Sequence, residues 1–246
     1  MAKQSGIGSN LYVAQFDVSG DIGAIGSIDT SRALLDLTDI TESGFERTVG
    51  RRDGQITFSS FWNTAAGQAH PALSALPSAD RIVSAFIGST VGSAAASLVA
   101  KQIGYGPSFG EDGSLVASTT ALANGYGLEW GEMLTTGKQT FASGTQNGTS
   151  IDLGSVSTLF GAAGYLHAFS LGSGTPTVTI QDSANDTDFL AVTGMGFTAI
   201  TAATSERVQG AVGATVRRYV RIQVTGTYTA LVCAVAFVRY LSSSAA

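Results

Sequence analysis

The feature that most constrains this fold is that its apolar residues arrive in short β-branched or aromatic runs, each closed by Gly, Ser or Asn, with 31 glycines in 246 residues. Long helices cannot be threaded through so many breaks, whereas short strands end naturally at them. Strands are expected near residues 10–18, 22–29, 32–40, 45–50 and 54–61, with turns at Ser19-Gly20, Ser43-Gly44 and Asp53-Gly54, pairs that tolerate positive φ. One helical stretch interrupts the series. Asn63 is placed to cap it, and it runs toward Leu76 with Pro71 confined to a first turn or a kink. Strands resume at 81–87, 97–105 and 114–122. Near residues 137–155 the composition shifts to Gly, Ser, Thr and Asn, which marks a domain boundary. Beyond it, strands are expected at 163–171, 177–182, 189–192, 198–200, 206–209, 219–224 and 231–240. Alternation is plain in Thr177-Val-Thr-Ile-Gln and Arg221-Ile-Gln-Val-Thr, where one face is apolar and the other polar. The expectation is an all-β chain with one short helix, divided into residues 1–140, a linker at 141–155, and a β-sandwich at 156–246.

Charge narrows the range of functions. Charged residues are 13% of the chain, about half the usual share, and such a surface suits contact with other protein surfaces because isolated charges are costly to desolvate at an interface. Residues 1–140 carry 13 acidic and 8 basic side chains, while residues 141–246 carry 5 of each, so the whole net charge of −5 sits in the first part. Gripping nucleic acid without regard to sequence needs clustered Lys and Arg, and this chain has no such cluster. A single cysteine, Cys233, excludes an internal disulfide and reads as a small buried hydrophobe. The first ten residues lack the apolar core of a signal peptide, and the longest apolar run, 229–238, is about half of what a membrane-crossing helix needs. Folding in a cytoplasm is therefore expected.

Two segments carry a resemblance. Asp17-Val-Ser-Gly-Asp-Ile-Gly-Ala and Thr38-Asp-Ile-Thr-Glu-Ser-Gly-Phe-Glu-Arg-Thr-Val-Gly-Arg-Arg-Asp-Gly resemble the signature of long-tailed phage major tail (tail tube) proteins. The likeness continues through Pro71-Ala-Leu-Ser-Ala-Leu-Pro-Ser-Ala-Asp-Arg-Ile-Val and Asn124-Gly-Tyr-Gly-Leu-Glu-Trp-Gly-Glu. It implies a tail-tube-type β-barrel or sandwich followed by a decorating domain, jelly-roll or Ig-like. It also implies a virion subunit in the tail, made in the host bacterial cytoplasm, that assembles into stacked hexameric rings through which DNA passes without specific binding. Tape measure, terminator and distal tail proteins are the partners that the resemblance implies, and the second domain has a host-surface glycan as its candidate ligand.

Within this frame two charge groups stand out. Glu46, Arg47, Arg51, Arg52 and Asp53 interleave both signs beside Gly50 and Gly54, on what reads as a hairpin; across a subunit interface such pairs fix register, and otherwise they are a solvated turn. Asp29, Asp36, Asp39 and Glu42 lie on or beside a strand in which Leu35 and Leu37 alternate with Asp36 and Thr38. One face is therefore acidic, and if it lined a lumen it would keep DNA phosphates from adhering. Residues 1–10 and the loop around 41–54 are the candidates for contact between rings.

Other constellations read as ordinary. Asp182-Ser-Ala-Asn-Asp-Thr-Asp lacks the central Gly and closing Glu of a calcium loop and reads as a polar turn. Glu129 and Glu132 are three apart on a strand and face opposite sides, so they do not form a glycosidase pair. His167 reads as a surface or satisfied sheet residue, and with His70 and one Cys it cannot build the usual structural zinc site. No converging acid, base and nucleophile can be named, so an enzyme is not expected, and neither a metal nor a cofactor is called for. The alternatives to a tail protein are a carbohydrate-binding surface module, with Phe169, Phe237 and Tyr219 as platforms or core, and a capsid decoration protein.

Overall fold

The computed structural model describes residues 6–154 and 157–242. The fold is all-β with one short helix, as the run pattern dictates. In chain order the strands are β1 (Asn10–Val13), β2 (Phe16–Asp17), β3 (Ile22–Asp36), β4 (Arg47–Phe61), β5 (Arg81–Phe86), β6 (Ala94–Phe109), β7 (Leu115–Ala123), β8 (Glu129–Met133), β9 (Gln139–Phe141) and β10 (Gln146–Asn147). They continue as β11 (Ile151–Asp152), β12 (Ala162–Ser170), β13 (Ser173–Gly174), β14 (Thr177–Ser183), β15 (Leu190–Gly196), β16 (Thr204–Gln209), β17 (Tyr219–Thr225), β18 (Tyr228–Thr229) and β19 (Leu231–Arg239). The helix α1 spans Ala69–Leu73.

Contacts divide the chain into two compact units that are not sequential. One comprises Met1–Gly20, Ser84–Ser97 and Trp130–Ala246; the other comprises Asp21–Val83 and Leu98–Glu129. The expected division at 141–155 differs from this one, because β1, β2, β8 and β9 belong wholly or mainly with the C-terminal strands. Residues 155 and 156, at the expected boundary, and residues 1–5 of the expected N-terminal arm lie outside the described residues.

The first unit is a sandwich. β12 pairs antiparallel with β16 and β19, and β19 in turn with β8 and β9. The facing sheet sets β17 between β14 and the short β10 and β11, with β15 beyond β14. Val178 and Ile180 of β14 and Val220, Ile222 and Val224 of β17 meet Leu166, Val235 and Phe237 in one core, so the alternation in the sequence becomes the inner face. Phe237 is core as expected, whereas Phe169 and Tyr219 are half-buried. Gly131 is required by close approach, since a Cβ there would lie 2.0 Å from the Phe237 carbonyl oxygen.

His167 is a satisfied sheet residue but is not on the surface. It is fully buried, with Nδ1 2.6 Å from the Ala14 carbonyl oxygen and Nε2 2.8 Å from Ser84 Oγ. Burial lowers its pKa to about 4, and the bond to Ala14 only partly opposes this. Cys233 is buried, and desolvation pushes its thiol up to about 12, which makes it inert. The Asp182–Asp188 stretch is the polar turn expected of it. Asn185 Oδ1 accepts from the backbone N–H groups of Thr187 (3.1 Å) and Asp188 (3.0 Å), and Asp186 has φ of 60°.

The second unit is a four-stranded antiparallel sheet in the order β3–β4–β7–β6, with α1 against one face. Pro71 sits in the first turn of α1, where its missing N–H leaves no bond unmade. The Asn63 side chain caps only the turn before this helix, accepting from the Ala65 N–H at 3.1 Å, and its backbone carbonyl accepts from the His70 N–H at 3.1 Å. Asp21 caps the helix itself from a distance in sequence: its carboxylate accepts from the Ala69 N–H at 2.9 Å and from Asn63 Nδ2 at 2.7 Å.

Because His167 is held neutral while the unfolded chain titrates near 6.5, stability should fall as pH drops from about 6.5 toward 4, by roughly 3 kcal/mol in total. Urea midpoints across that window measure the loss, and His167→Gln should flatten it.

Candidate functional site

The ladder between β3 and β4 is longer than the sequence suggests. Segments expected as four strands, 22–29 with 32–40 and 45–50 with 54–61, form two continuous strands of 15 residues each, joined by the loop at 37–46 that contains Ser43-Gly44. Asp53-Gly54 is not a turn. Gly54 is buried mid-strand because a Cβ there would lie 2.4 Å from Leu128 Cβ and 2.8 Å from the Asp29 carbonyl oxygen. Strand length explains the rest: β7 pairs with β4 only from Phe61 to Gln55, so the remaining rungs, about 23 Å of strand, form a two-stranded ribbon.

From residue 29 to residue 49 every residue except Thr38 is exposed. Apolar side chains stand out of this ribbon and its loop. Ile40 is fully exposed, Phe45 is 74% exposed, and Leu34, Leu35, Leu37 and Val49 are exposed as well. The β6–β7 hairpin adds Phe109, 83% exposed at its end, and Ile103 at a bulge between Gln102 and Gly104. β3 pairs with β4 alone among the described strands, so its other side is an open sheet edge.

The four-stranded part has two unlike faces. Ile56 and Phe58 of β4 with Ala117, Thr119 and Ala121 of β7 are buried. The opposite face carries Ser59 beside Ser118, Thr57 beside Thr120 and Gly104 beside Thr120, with Ser27 hydrogen-bonded to Thr57 at 2.9 Å. At its centre this second face consists of short hydroxyl side chains and glycine, with Phe61 and Val116 toward one end and Gln55, Leu122 and Lys101 toward the other. Asp29 lies on it and accepts from Gln55 Nε2 at 3.0 Å. Asp53 alternates with Gln55 along β4 and belongs to the same face.

The acidic residues singled out in the sequence therefore do not form one face. β3 ends at Asp36, which sits opposite Arg47, while Asp39 and Glu42 lie in the loop. Asp36 and Asp39 close local turns: each accepts from the backbone N–H and the hydroxyl of Thr38 and Thr41 respectively, and these bonds hold both carboxyls below the usual carboxylate range. Only Asp29 of the four is on the hydroxyl face.

The mixed-charge cluster is split by strand alternation. Arg52 faces the buried side, where its guanidinium lies 3.6 Å from buried Glu129 and its Cβ packs over Gly127. Arg51 and Asp53 are exposed, Glu46 is exposed at the loop, and the Arg47 guanidinium lies 4.3 Å from the centre of the Phe45 ring. Arg47 thus covers one face of an exposed aromatic and leaves the other open.

The Asp17–Asp21 segment has structural work that sequence reading missed. Asp17 Oδ2 is 2.8 Å from Lys138 Nζ, and its Oδ1 accepts from the Ser19 hydroxyl at 2.6 Å. Burial raises the Asp17 pKa, but these partners outweigh it and the carboxyl stays below its ordinary value. The acidic residue of an Asp-x-Ser turn is the available signal, since that spacing lets the carboxylate accept locally.

No protein-family model matches the chain, and no curated protein matches it. Among solved structures, the Dit protein (gp 19.1) of phage SPP1, described as a paradigm of the hub adsorption apparatus in Gram-positive-infecting phages, is similar over 94% of this chain and 99% of its own, at 8% identity and a TM-score of 0.34. A chain of the phage p2 baseplate in its activated conformation with Sr is similar over 96% of this chain and 99% of its own, at 8% identity and a TM-score of 0.30. A chain of the same baseplate with Ca is similar over 94% and 98%, at 9% identity and a TM-score of 0.30. At this degree of likeness the functional reading rests on the chain's own residues and geometry.

Removing Arg52 leaves the Glu129 carboxylate buried without that cation, so Arg52→Ala should cost about 2 kcal/mol, less than a fully buried pair because Arg52 is partly solvated. Arg51→Ala and Asp53→Ala should change stability by under about 0.5 kcal/mol. Urea unfolding of the three variants separates them.

Proposed function

We propose that this chain is a virion structural protein of a phage tail, a tail tube subunit that closes into rings and stacks them. The observation that carries the reading is the β3–β4 ribbon. A two-stranded ribbon is marginal alone in water, and this one exposes Leu34, Leu35, Leu37, Ile40, Phe45 and Val49, so it calls for a partner surface. A second copy of the chain supplies that surface in this reading. The open edge of β3 gives a second reason for self-association, since strand pairing with a neighbour removes an exposed edge. The resemblance of the Asp17–Asp21 and Thr38–Gly54 segments to tail tube proteins supplies the ring number and the biological setting.

The hydroxyl face then lines the channel. Six copies each giving four strands spaced about 4.8 Å apart close a sheet of circumference near ~115 Å and diameter near ~37 Å, which admits duplex DNA. Short hydroxyls with Asp29 and Asp53 dominate this face, and its cations are no cluster, Arg51 standing beside Asp53 and Lys101 pairing with Asp80 at 2.8 Å, so the genome slides past them. A contact between unlike surfaces that does not close generates a filament, and the ribbon is the part long enough to reach the next ring. Function is geometric in this reading, without catalysis, and assembly takes place in the bacterial cytoplasm.

Negative-stain microscopy and light scattering of concentrated protein test the reading. Wild-type protein should form rings or hollow filaments. The double variant Ile40→Asp with Phe45→Asp, at two exposed positions, should keep its monomer stability within about 0.5 kcal/mol and lose the filaments. A wild-type protein that stays a monodisperse monomer at high concentration would overturn the proposal.

A further inference from the structure

The outer face of the β10–β17–β14–β15 sheet carries a directed relay of planar polar groups. On β17, Val220, Ile222 and Val224 are buried, which leaves Tyr219, Arg221 and Gln223 facing outward. Gln181 of β14 pairs across from Arg221, and Asn147 of β10 pairs across from Gln223. The hydrogen bonds all run one way. Arg221 Nε donates to Gln181 Oε1 at 3.0 Å, Gln181 Nε2 donates to Gln223 Oε1 at 3.1 Å, and Gln223 Nε2 donates to Asn147 Oδ1 at 2.9 Å.

Each amide oxygen in the relay is thus already an acceptor. What the relay leaves to a ligand is N–H: the second hydrogen of the Gln223 amide, the Asn147 amide, and the outer nitrogens of Arg221, while Gln181 is buried and serves to position its two neighbours. Arg221 lies over the Phe189 ring, 3.9 Å from its centre, which holds the guanidinium fork in place. Among the described residues Arg221 has no carboxylate partner, while two carboxylates of neighbouring segments are engaged. Asp152 binds Arg218 through two bonds of 2.6 Å, and Asp188 accepts from Asn185 at 2.8 Å. An excess of donors around one uncompensated cation matches an acceptor-rich, anionic ligand.

We propose that this face binds an acidic carbohydrate chain, with the amide hydrogens of Asn147 and Gln223 reading hydroxyl and ring oxygens and Arg221 pairing with the carboxylate or phosphate of the repeat. Half-buried Tyr219, two residues from Arg221 on the same strand face, has the Arg218 guanidinium 5.0 Å from its ring centre and supplies the remaining part of its ring as an apolar ledge for the sugar's C–H surface. The proposal is independent of ring formation, and the double variant Ile40→Asp with Phe45→Asp, which should not assemble, should bind equally well.

The test is affinity electrophoresis of the full chain through gels containing polygalacturonate, poly(glycerol phosphate) or neutral dextran. One or both anionic polymers should retard the protein and dextran should not; which of them does so separates carboxylate from phosphate. Arg221→Gln should weaken retardation about tenfold, and Arg221→Lys, which keeps the charge and loses the fork, should fall between. Should Arg221→Gln fold poorly, Gln223→Glu, which places a carboxylate in the relay, must also weaken binding about tenfold. Absence of binding to both anionic polymers, equal binding to dextran, or wild-type retardation of the folded variants would overturn the proposal.

Discussion

A strand presents two rows of backbone hydrogen-bonding groups, and β3 has a neighbour for one of them. That asymmetry governs the β3–β4–β7–β6 unit. Where β7 lies on the far side of β4, from Phe61 to Gln55, the ladder has a sheet around it and a face buried under α1. Beyond Gln55 the same two strands continue largely exposed, with the Gly127–Glu129 segment packed at the base. Neither proline nor lysine occurs in Ile22–Asp36 to discourage further pairing, although three register shifts interrupt the β3–β4 ladder, one of them, between Arg32 and Leu34, within the ribbon.

The base of the ribbon shows how an exposed extension is anchored to a stable sheet. Gly54 admits Leu128 and the Asp29 backbone at distances no side chain would allow, and Arg52 next to it reaches buried Glu129. Asp21 likewise fastens α1 by its first N–H, which leaves the helix short but oriented across the sheet. These contacts stiffen the part of the unit that must stay fixed if the ribbon is to present its apolar residues in a set direction. The sandwich unit follows a different logic. Its core is closed between two sheets, and its polar groups are gathered on the outer face or, like His167, buried with both ring nitrogens bonded.

Much of this was legible in the residues. β5, β7, β12, β14, β17 and β19 fall within a few residues of where the run pattern and turn pairs place them, β7 and β17 because one buried face leaves a period-two record, and β5, β12 and β19 because burial on both faces leaves an apolar run between breaks. The ribbon was misread for a physical reason: Asp53-Gly54 has the composition of a turn, yet the glycine is there to admit Leu128, a contact made by residues far along the chain. The capping role was assigned to Asn63 because it precedes the helix in sequence, whereas the carboxylate that does the capping arrives from 48 residues earlier. The charged cluster at 46–53 was read as one surface, but alternation along a single strand turns Arg52 inward and leaves Arg51 and Asp53 outward.

The sequence by itself determined the class of fold, the inner faces of the sandwich, the inertness of Cys233 and the polar turn at Asp182–Asp188, because each follows from local pattern and composition. Only the tertiary structure decided that β3 and β4 are single long strands, that Asp29 and Asp53 share a hydroxyl face while Asp39 and Glu42 do not, and that Arg221, Gln181, Gln223 and Asn147 join in one directed row across β17, β14 and β10. Those outcomes depend on which residues lie across a ladder or beneath a glycine, and such neighbours are set by chain segments tens of residues apart.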